Sequence, residues 1–123
     1  MQTAYQNEIV NPAENTTYDA KIGLMYVSDY GYAASPEAWT LNMSGYDNST
    51  ATNNNWMYMG LYEWTISRRS DRTYTAFDVI YFGDVNSDSV GRYIGVRPTF
   101  YLKSSVVLES GDGTIDNPYR ISA

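Results

Sequence analysis

The chain of 123 residues contains neither cysteine nor histidine. Without cysteine there are no disulfide bonds, thiolate metal ligands or thiol nucleophiles, so packing must stabilise the fold. Without histidine the most common general base and metal ligand is missing, which excludes a Ser-His-Asp triad, a Cys-His dyad and a zinc protease. Most familiar hydrolase chemistry is thereby removed, and we expect a protein that is not an enzyme and holds no cofactor.

Positive charge is also scarce. Eight Lys and Arg residues stand against 14 Asp and Glu, which gives a net charge of -6 and a pI near 4.3. The cations never cluster beyond the pair Arg68 and Arg69. Such a chain repels phosphate backbones and anionic lipid head groups. Nucleic acid is therefore not an expected partner.

Long apolar runs are missing as well. Nothing approaches the roughly 20 apolar residues of a membrane span, and the first residues lack the basic start and apolar h-region of a signal peptide. We interpret Met1 as an expression start in front of a fragment whose targeting region has been cut away. Residues 1–18 are then either an extended N-terminal arm or the remnant of a truncated upstream segment. Residues 19–123 are long enough to form one domain with its own core.

What the chain has in abundance is tyrosine, with 13 residues, together with many Asn, Ser and Thr. Tyrosine offers a large amphipathic contact at low rotamer entropy, so these residue types dominate surfaces that recognise other molecules. Aromatic residues are also favoured on the solvent face of strands for reasons unrelated to binding. Both interpretations stay open for any single tyrosine.

The longest β-branched and aromatic run is Gly95–Leu108, which we predict to form the central strands. Its alternation places Val96, Pro98, Phe100 and Leu102 on one side. We expect one core to contain the side chains of Ile22, Trp56, Trp64, Phe100 and Leu102. Arg97 precedes Pro98 at the start of this strand, a position that favours a structural guanidinium paired with an acid or with loop carbonyls.

Other patterns complete a β-rich domain of class α+β with short antiparallel strands, long polar loops and little helix. Ser35 and Pro36 indicate the start of a short helix, with Trp39 docking that turn on the core. We predict strands at 21–30 (buried on both faces), 56–67 (bent near Gly60), 75–82 and 116–121. The stretches 42–55 and 86–91 are polar and are predicted to be loops.

Two arrangements of acidic residues are candidate sites. Asp84, Asn86 and Asp88 match the first, third and fifth positions of an EF-hand calcium loop, but the glycine and the closing glutamate of that loop are missing. An Asx-capped turn explains the same residues, so no metal site is predicted. Asp29, Glu63 and Asp78 lie inside predicted strands and could form the carboxylate pair of a polysaccharide hydrolase. Structural pairing of these acids is the favoured alternative.

An ordered series of motifs resembles the C-terminal ectodomains of prepilin-like surface proteins of Gram-positive gut bacteria. These motifs are Lys21–Ala33, Asn55–Tyr58, Glu63–Ser67, Gly95–Pro98, Tyr101–Ser104, Gly111–Thr114 and Asn117–Tyr119. The resemblance runs from about Ala20 to Ile121 and implies a secreted, cell-surface module. The Trp-rich middle and Gly95–Pro98 are more distantly similar to the C-type-lectin-like fold of the formylglycine-generating group, which includes binding proteins diversified by retroelements. That similarity implies a C-type-lectin-like binding scaffold with variable loops.

We therefore expect a non-enzymatic extracellular module that binds a glycan or a protein through Tyr- and Asn-rich loops. In a lectin-like scaffold the loops above the Trp-rich strands carry recognition, which selects Tyr46, Asn48, Asn53, Asn54, Asn86 and Tyr93. The alternative interpretation is that these loops are merely solvated and bind no partner. A structural pilin-like subunit without a ligand of its own is the alternative function, followed by the carboxylate-based hydrolase.

Overall fold

The computed structural model describes residues 1–12, 18–47, 49–114 and 116–122. Its helical elements are short: α1 (Gln2–Tyr5), which continues as a π-helix (Gln6–Val10), α2 (Val27–Tyr32), two 3-10 turns (Pro36–Ala38 and Met43–Gly45) and α3 (Ser49–Thr52). Its strands are β1 (Glu63–Arg68), β2 (Thr75–Val79), β3 (Val85–Ser89), β4 (Val107–Ser110) and β5 (Arg120–Ser122).

The main sheet contains β1, β2 and β3 in that order, all antiparallel to their neighbours. Trp64 lies opposite Asp78, and Asp78 lies opposite Asn86, so these three side chains share one face. The opposite face carries Glu63, Val79 and Val85, which are paired across the strands in the same way. This second face supports the core.

The core is built mainly from small residues, methionines and two tyrosines: Met25, Val27, Tyr30, Ala33, Ala34, Ala38, Tyr46, Ala51, Met57, Val79 and Val85. Neither tyrosine has any exposed surface. The Tyr30 hydroxyl donates to the Gly83 carbonyl at 2.8 Å, and the Tyr46 hydroxyl donates to the Ala38 carbonyl at 3.0 Å. Each buried hydroxyl thus has the hydrogen bond that offsets its desolvation.

Gly83 forms the tight connection between β2 and β3. Its φ of +100° lies in the region that favours glycine, and a Cβ there would lie 2.4 Å from the Thr52 side chain. The turn therefore packs directly against α3. This contact brings the end of the sheet next to the helical half of the core.

The predicted core of large side chains is wrong. Ile22 is 62% exposed, Trp56 80%, Phe100 65% and Leu102 53%, while Trp64 is only half-buried. A structural role was predicted for Trp56 because it was expected to be buried. Its exposure removes that reason. Alternation alone identifies a face, but it does not say whether another layer covers that face.

The predicted central strand is also wrong, since the run 95–106 forms no continuous ladder. It is held by two isolated bridges, from Gly95 to Glu63 and from Thr99 to Gly23. Pro98 stands between them and has no N–H group to donate, which explains why a regular strand does not form.

Part of the predicted strand at 21–30 is instead helix α2. The Asp29 carboxylate accepts a hydrogen bond from the Tyr26 amide at 2.8 Å. The Glu8 carboxylate accepts from the amides of Val27 and Ser28 at 3.2 and 3.0 Å. Amides at a helix start have no partners within the helix, so these two acids stabilise a helix that the local apolar pattern does not indicate.

The N-terminal residues 2–10 are helical, so the expectation of an extended arm is wrong for them. Glu8 also accepts a hydrogen bond from the Ser67 hydroxyl of β1 and so ties this helix to the sheet as well as to α2. Residues 13–17 lie outside the described part of the chain. The other interpretation, a remnant of an upstream segment, stays a prediction.

Several local predictions agree with the structure. Ser35 and Pro36 begin a 3-10 turn, and the chain bends at Gly60, whose φ is +66°. The predicted strand 75–82 forms as β2, although it ends at Val79. The predicted polar loop 86–91 is wrong, because β3 occupies most of it and pairs with β2 over its whole length.

The chain end forms a separate hairpin in which β5 pairs with β4. The α+β class with short antiparallel strands is confirmed, while the C-type-lectin-like fold stays a prediction. Within the described ranges, no helix combines the length and the apolar character needed to cross a lipid bilayer.

Replacing Tyr46 by Ala should lower the free energy of unfolding by about 3–5 kcal/mol, the usual cost of deleting a large buried aromatic side chain. Chemical denaturation measures this value. Tyr93→Ala is the matched control, because Tyr93 is fully exposed and its removal should leave stability unchanged. Equal stability of the two variants would contradict the assignment of Tyr46 to the core.

Candidate functional site

A groove of about 530 Å³ runs along the outer edge of β1. One wall is the segment 20–26, the other walls are Trp56 with Met57 and the segment 99–101, and α2 contributes Tyr32. Met25 and Ile66 lie at the base, where the Ile66 amide donates to the Met25 carbonyl at 2.9 Å. We call this feature the aromatic groove.

Four large aromatic side chains line the aromatic groove and are open to solvent. The exposed fraction is 95% for Tyr101, 91% for Tyr18, 80% for Trp56 and 65% for Phe100. An isolated exposed aromatic residue is common, but several around one depression are the usual mark of a surface that binds something. This concentration of rings makes the groove the candidate site.

Trp56 is held outward by the residue before it. Asn55 is buried, and its side-chain amide donates to the Tyr30 carbonyl at 2.9 Å while its side-chain oxygen accepts from the Met57 amide at 2.9 Å. The Trp56 amide itself donates to the Ala33 carbonyl at 3.4 Å. The backbone at Trp56 is therefore fixed to α2, and its indole projects into the groove.

Arg97 joins two walls of the groove. Its guanidinium donates to the Met57 carbonyl at 2.8 Å and forms an ion pair with Glu63, whose side chain is 8% exposed. Two hydrogen bonds of 2.9 Å between Gly23 and Thr99 fix the neighbouring wall. The expected partner types, an acid and a loop carbonyl, are those observed, and the effect of Arg97 on stability stays a prediction.

Polar groups accompany the rings. Lys21 and Asp29 both line the groove and are exposed, and they place a donor and an acceptor at its edges. The groove thus combines flat aromatic faces with a few hydrogen-bonding groups, the composition typical of small-molecule sites.

Of the six ligand-binding residues predicted from sequence, the five that the structure describes do not line the groove. Tyr46 is buried and belongs to the core, so that assignment is wrong. Asn48 lies outside the described residues. Asn53 and Asn54 are exposed beside α3, with the Asn54 side chain donating to the Thr50 carbonyl at 3.0 Å. Asn86 lies on β3 opposite Asp78, and Tyr93 follows that strand.

Two of the calcium-loop candidates lie on a strand rather than in a loop. Asn86 and Asp88 belong to β3 (Val85–Ser89) and Asp84 directly precedes it, so the three residues follow an extended chain instead of surrounding an ion. Asp88 forms an ion pair with Arg92. Among the described residues, no group of three or more acidic side chains is arranged to hold a metal ion.

The three hydrolase candidates are not arranged as a pair. Glu63 and Asp78 lie on opposite faces of the sheet, because Glu63 pairs with Val79 while Asp78 pairs with Trp64. Asp29 lines the aromatic groove, away from both. This geometry does not bring two of the candidate carboxyl groups to one cleft.

Asp78 has an unusual environment of its own. It has no exposed surface, and neither carboxylate oxygen has a hydrogen-bond partner in the described chain. Burial, together with the nearby negative charge of Asp88, raises the pKa of Asp78 to about 6, an effect that Arg92 partly offsets. The ionised carboxylate of Asp78 therefore destabilises the folded state. Asp78 does not line the aromatic groove.

Sequence reasoning missed the residues that line the groove. Trp56 and Phe100 are predicted in the core and Tyr18 in the arm, and Tyr101 is named only as part of the motif Tyr101–Ser104. One signal was present, since Pro98 argues against an interior strand and hence against burial of its neighbours. No comparable sequence signal marks Tyr18, because only the tertiary fold brings it to the groove.

Replacing Arg97 by Lys should lower the free energy of unfolding by about 1.5–3 kcal/mol, the range for hydrogen bonds to charged groups. One terminal guanidinium nitrogen of Arg97 makes both contacts, and the lysine ammonium ends one bond short of that position. Thermal or urea denaturation gives the value. Arg120→Lys is a control on the exposed strand β5. Unchanged stability of Arg97→Lys would show that the two contacts contribute nothing.

Replacing Asp78 by Asn should stabilise the protein at neutral pH and change little near pH 4. The folded-state pKa of about 6 exceeds the ordinary value of 3.8, so folding favours the protonated form. The contribution of Asp78 to stability should therefore fall as pH rises from about 4 to about 6, then level off. Denaturation at pH 4 and pH 7 tests this, with exposed Asp116→Asn as control. An equal difference in the free energy of unfolding between Asp78→Asn and the natural chain at both pH values would contradict this prediction.

Comparison with known proteins adds no assignment: no family model, no curated protein and no solved structure matches the chain. The resemblances to prepilin-like ectodomains and to the C-type-lectin-like fold therefore stay predictions based on the quoted motifs. The function has to be argued from the aromatic groove itself.

Proposed function

We propose that the protein is a non-enzymatic extracellular binding module that recognises a neutral glycan through the aromatic groove. The single observation that carries this proposal is the set of four open rings, Tyr18, Trp56, Phe100 and Tyr101, around one depression. The resemblance to surface proteins supports display outside the cell.

The physical basis is the match between a sugar and such a surface. One face of a pyranose ring exposes C–H groups, which pack on a flat aromatic side chain and release water from both. The hydroxyl groups at the sugar edge need hydrogen-bond partners, which Lys21 and Asp29 offer. Rigid aromatic side chains lose little rotamer entropy when they bind.

A glycan is favoured over an extended peptide. A peptide that adds to a sheet needs free backbone groups along an edge. At three points of the groove those groups already pair with each other, Gly23 with Thr99 in both directions and the Ile66 amide with the Met25 carbonyl. These pairings interrupt the row of free groups that an added strand would use, while the open side chains suit a saccharide.

Binding without turnover is supported by the positions of the acids. Paired carboxyl groups on both sides of the scissile bond are the usual requirement for glycoside hydrolysis. Among the described acidic residues, Asp29 alone lines the groove. A hydrolase of this type would need a second acid there.

A structural subunit is the second candidate, favoured by the C-terminal hairpin. Val107, Leu108 and Ile121 on β4 and β5 are each more than half exposed. A two-stranded hairpin that buries so little is marginal alone, which fits contact with another subunit. Sedimentation velocity over a range of concentrations separates assembly from a monomeric binder.

The test of glycan binding uses chito-, cello- and malto-oligosaccharides, all neutral chains, titrated by calorimetry. Trp56→Ala and Tyr101→Ala should each weaken binding at least about tenfold, as expected for loss of a central aromatic contact. Both residues are exposed, so stability should change by no more than about 0.5 kcal/mol.

Tyr74→Ala is the matched control, because Tyr74 is 58% exposed and lies outside the groove. Its affinity should equal that of the natural chain, and salt should have little effect because the ligand is uncharged. Two results would reject the proposal: no binding to any saccharide tested, or binding that survives both groove substitutions.

A further inference from the structure

A second depression of about 400 Å³ lies beside the aromatic groove. It is formed by the N-terminal helix and the turn after α2, with Gln2, Tyr5, Gln6, Tyr32, Trp39 and Thr40 in its lining. We call it the N-terminal depression. Tyr32 lines both this depression and the aromatic groove, so the two are adjacent.

Three aromatic rings form one connected set in the N-terminal depression. The Tyr32 ring lies 5.2 Å from that of Trp39 and 6.3 Å from that of Tyr5, measured between centroids, with interplanar angles of 83° and 82°. Each of the three residues is 39–40% exposed. Edge-to-face packing holds the rings in place while part of each stays open to solvent.

The rings are fixed before any ligand arrives. The Trp39 indole N–H donates to the Ala34 carbonyl at 2.8 Å. Tyr5 is carried by the helix that Glu8 ties to α2 and to Ser67. A site with its side chains already ordered loses less entropy on binding.

The lining of the N-terminal depression selects the chemistry of its ligand. Its side chains are the three rings, Met1, two glutamine amides and the Thr40 hydroxyl; none of these side chains is charged, and Met1 also carries the N-terminal ammonium group. Amides and hydroxyls match sugar hydroxyls as both donors and acceptors. The nearby groove also combines rings with hydrogen-bonding groups, although its Lys21 and Asp29 are charged.

From this continuity we propose that the aromatic groove and the N-terminal depression form one extended site for a neutral oligosaccharide, with Tyr32 between two sets of sugar subsites. This inference rests on the proposed glycan-binding function and specifies its ligand as a chain rather than a single sugar. A short saccharide occupies the groove, and a longer chain also reaches Tyr5 and Trp39.

The test compares two-unit and six-unit chito-, cello- and malto-oligosaccharides by calorimetry. The hexasaccharide should bind the natural chain more tightly than the disaccharide. Tyr5→Ala should weaken hexasaccharide binding about threefold to tenfold, the range for losing one aromatic contact, and should leave disaccharide binding unchanged. Tyr74→Ala is again the control and should change neither affinity.

The substitution Tyr5→Ala could itself detach the N-terminal helix from the rest of the fold. A second measurement therefore uses the unsubstituted chain. The side-chain amide NMR signals of Gln2 and Gln6 should shift on addition of the hexasaccharide and stay in place with the disaccharide. Equal affinities for both lengths, or unmoved Gln2 and Gln6 signals, would overturn the extended site and leave the proposed function intact. Failure of every saccharide to bind would instead remove the proposed function and this extension together.

Discussion

The groove depends on one partly buried contact, the guanidinium of Arg97 held between Glu63 and the Met57 carbonyl. The segment that carries Phe100 and Tyr101 forms no regular strand, and Trp56 lies in a segment without regular structure. Arg97 connects these two irregular segments to each other and to the first residue of β1. Without that connection, the Gly23–Thr99 bridge and the hydrogen bonds that tie Trp56 to α2 would hold the rings less firmly, and a rigid ligand would have to order them at a greater entropic cost.

The arrangement divides the aromatic residues into two groups with different roles. Tyr30 and Tyr46 are fully buried among alanines and methionines, and each satisfies its hydroxyl with a backbone carbonyl. The rings at the groove are instead left in water, where they add nothing to the core. An open cluster of this kind lowers solubility, so its presence is better explained by a partner than by folding.

Elements whose signals are local were predictable from the sequence. Ser35 with Pro36 starts a turn because both residues satisfy the requirements of a helix start, and β2 forms where β-branched and aromatic residues are dense. Helix α2 was not predictable, since Glu8 lies about 20 residues away in sequence and supplies part of its cap. Arg97 was recognised by its place before a proline, yet its exact partners depend on the fold.

The candidate site was the least predictable feature. Loops rich in Asn and Tyr are reasonable candidates in general, but Tyr46 lies inside the core and Asn86 lies on a strand. The groove arises where Gly23 bridges Thr99 and where Asn55, hydrogen-bonded to the Tyr30 carbonyl, holds Trp56 outward. The Gly23–Thr99 and Asn55–Tyr30 contacts join residues far apart in the chain, so alternation and composition could not place these rings around one depression.

The most direct test of the central claim is the indole N–H region of a ¹⁵N-labelled NMR spectrum during titration with a neutral hexasaccharide. The three tryptophans report on three places: Trp56 on the groove, Trp39 on the N-terminal depression and half-buried Trp64 on the sheet. If the saccharide binds in the aromatic groove, the Trp56 signal should shift saturably while the Trp64 signal stays in place. A bound saccharide that leaves the Trp56 signal unchanged would contradict the central claim.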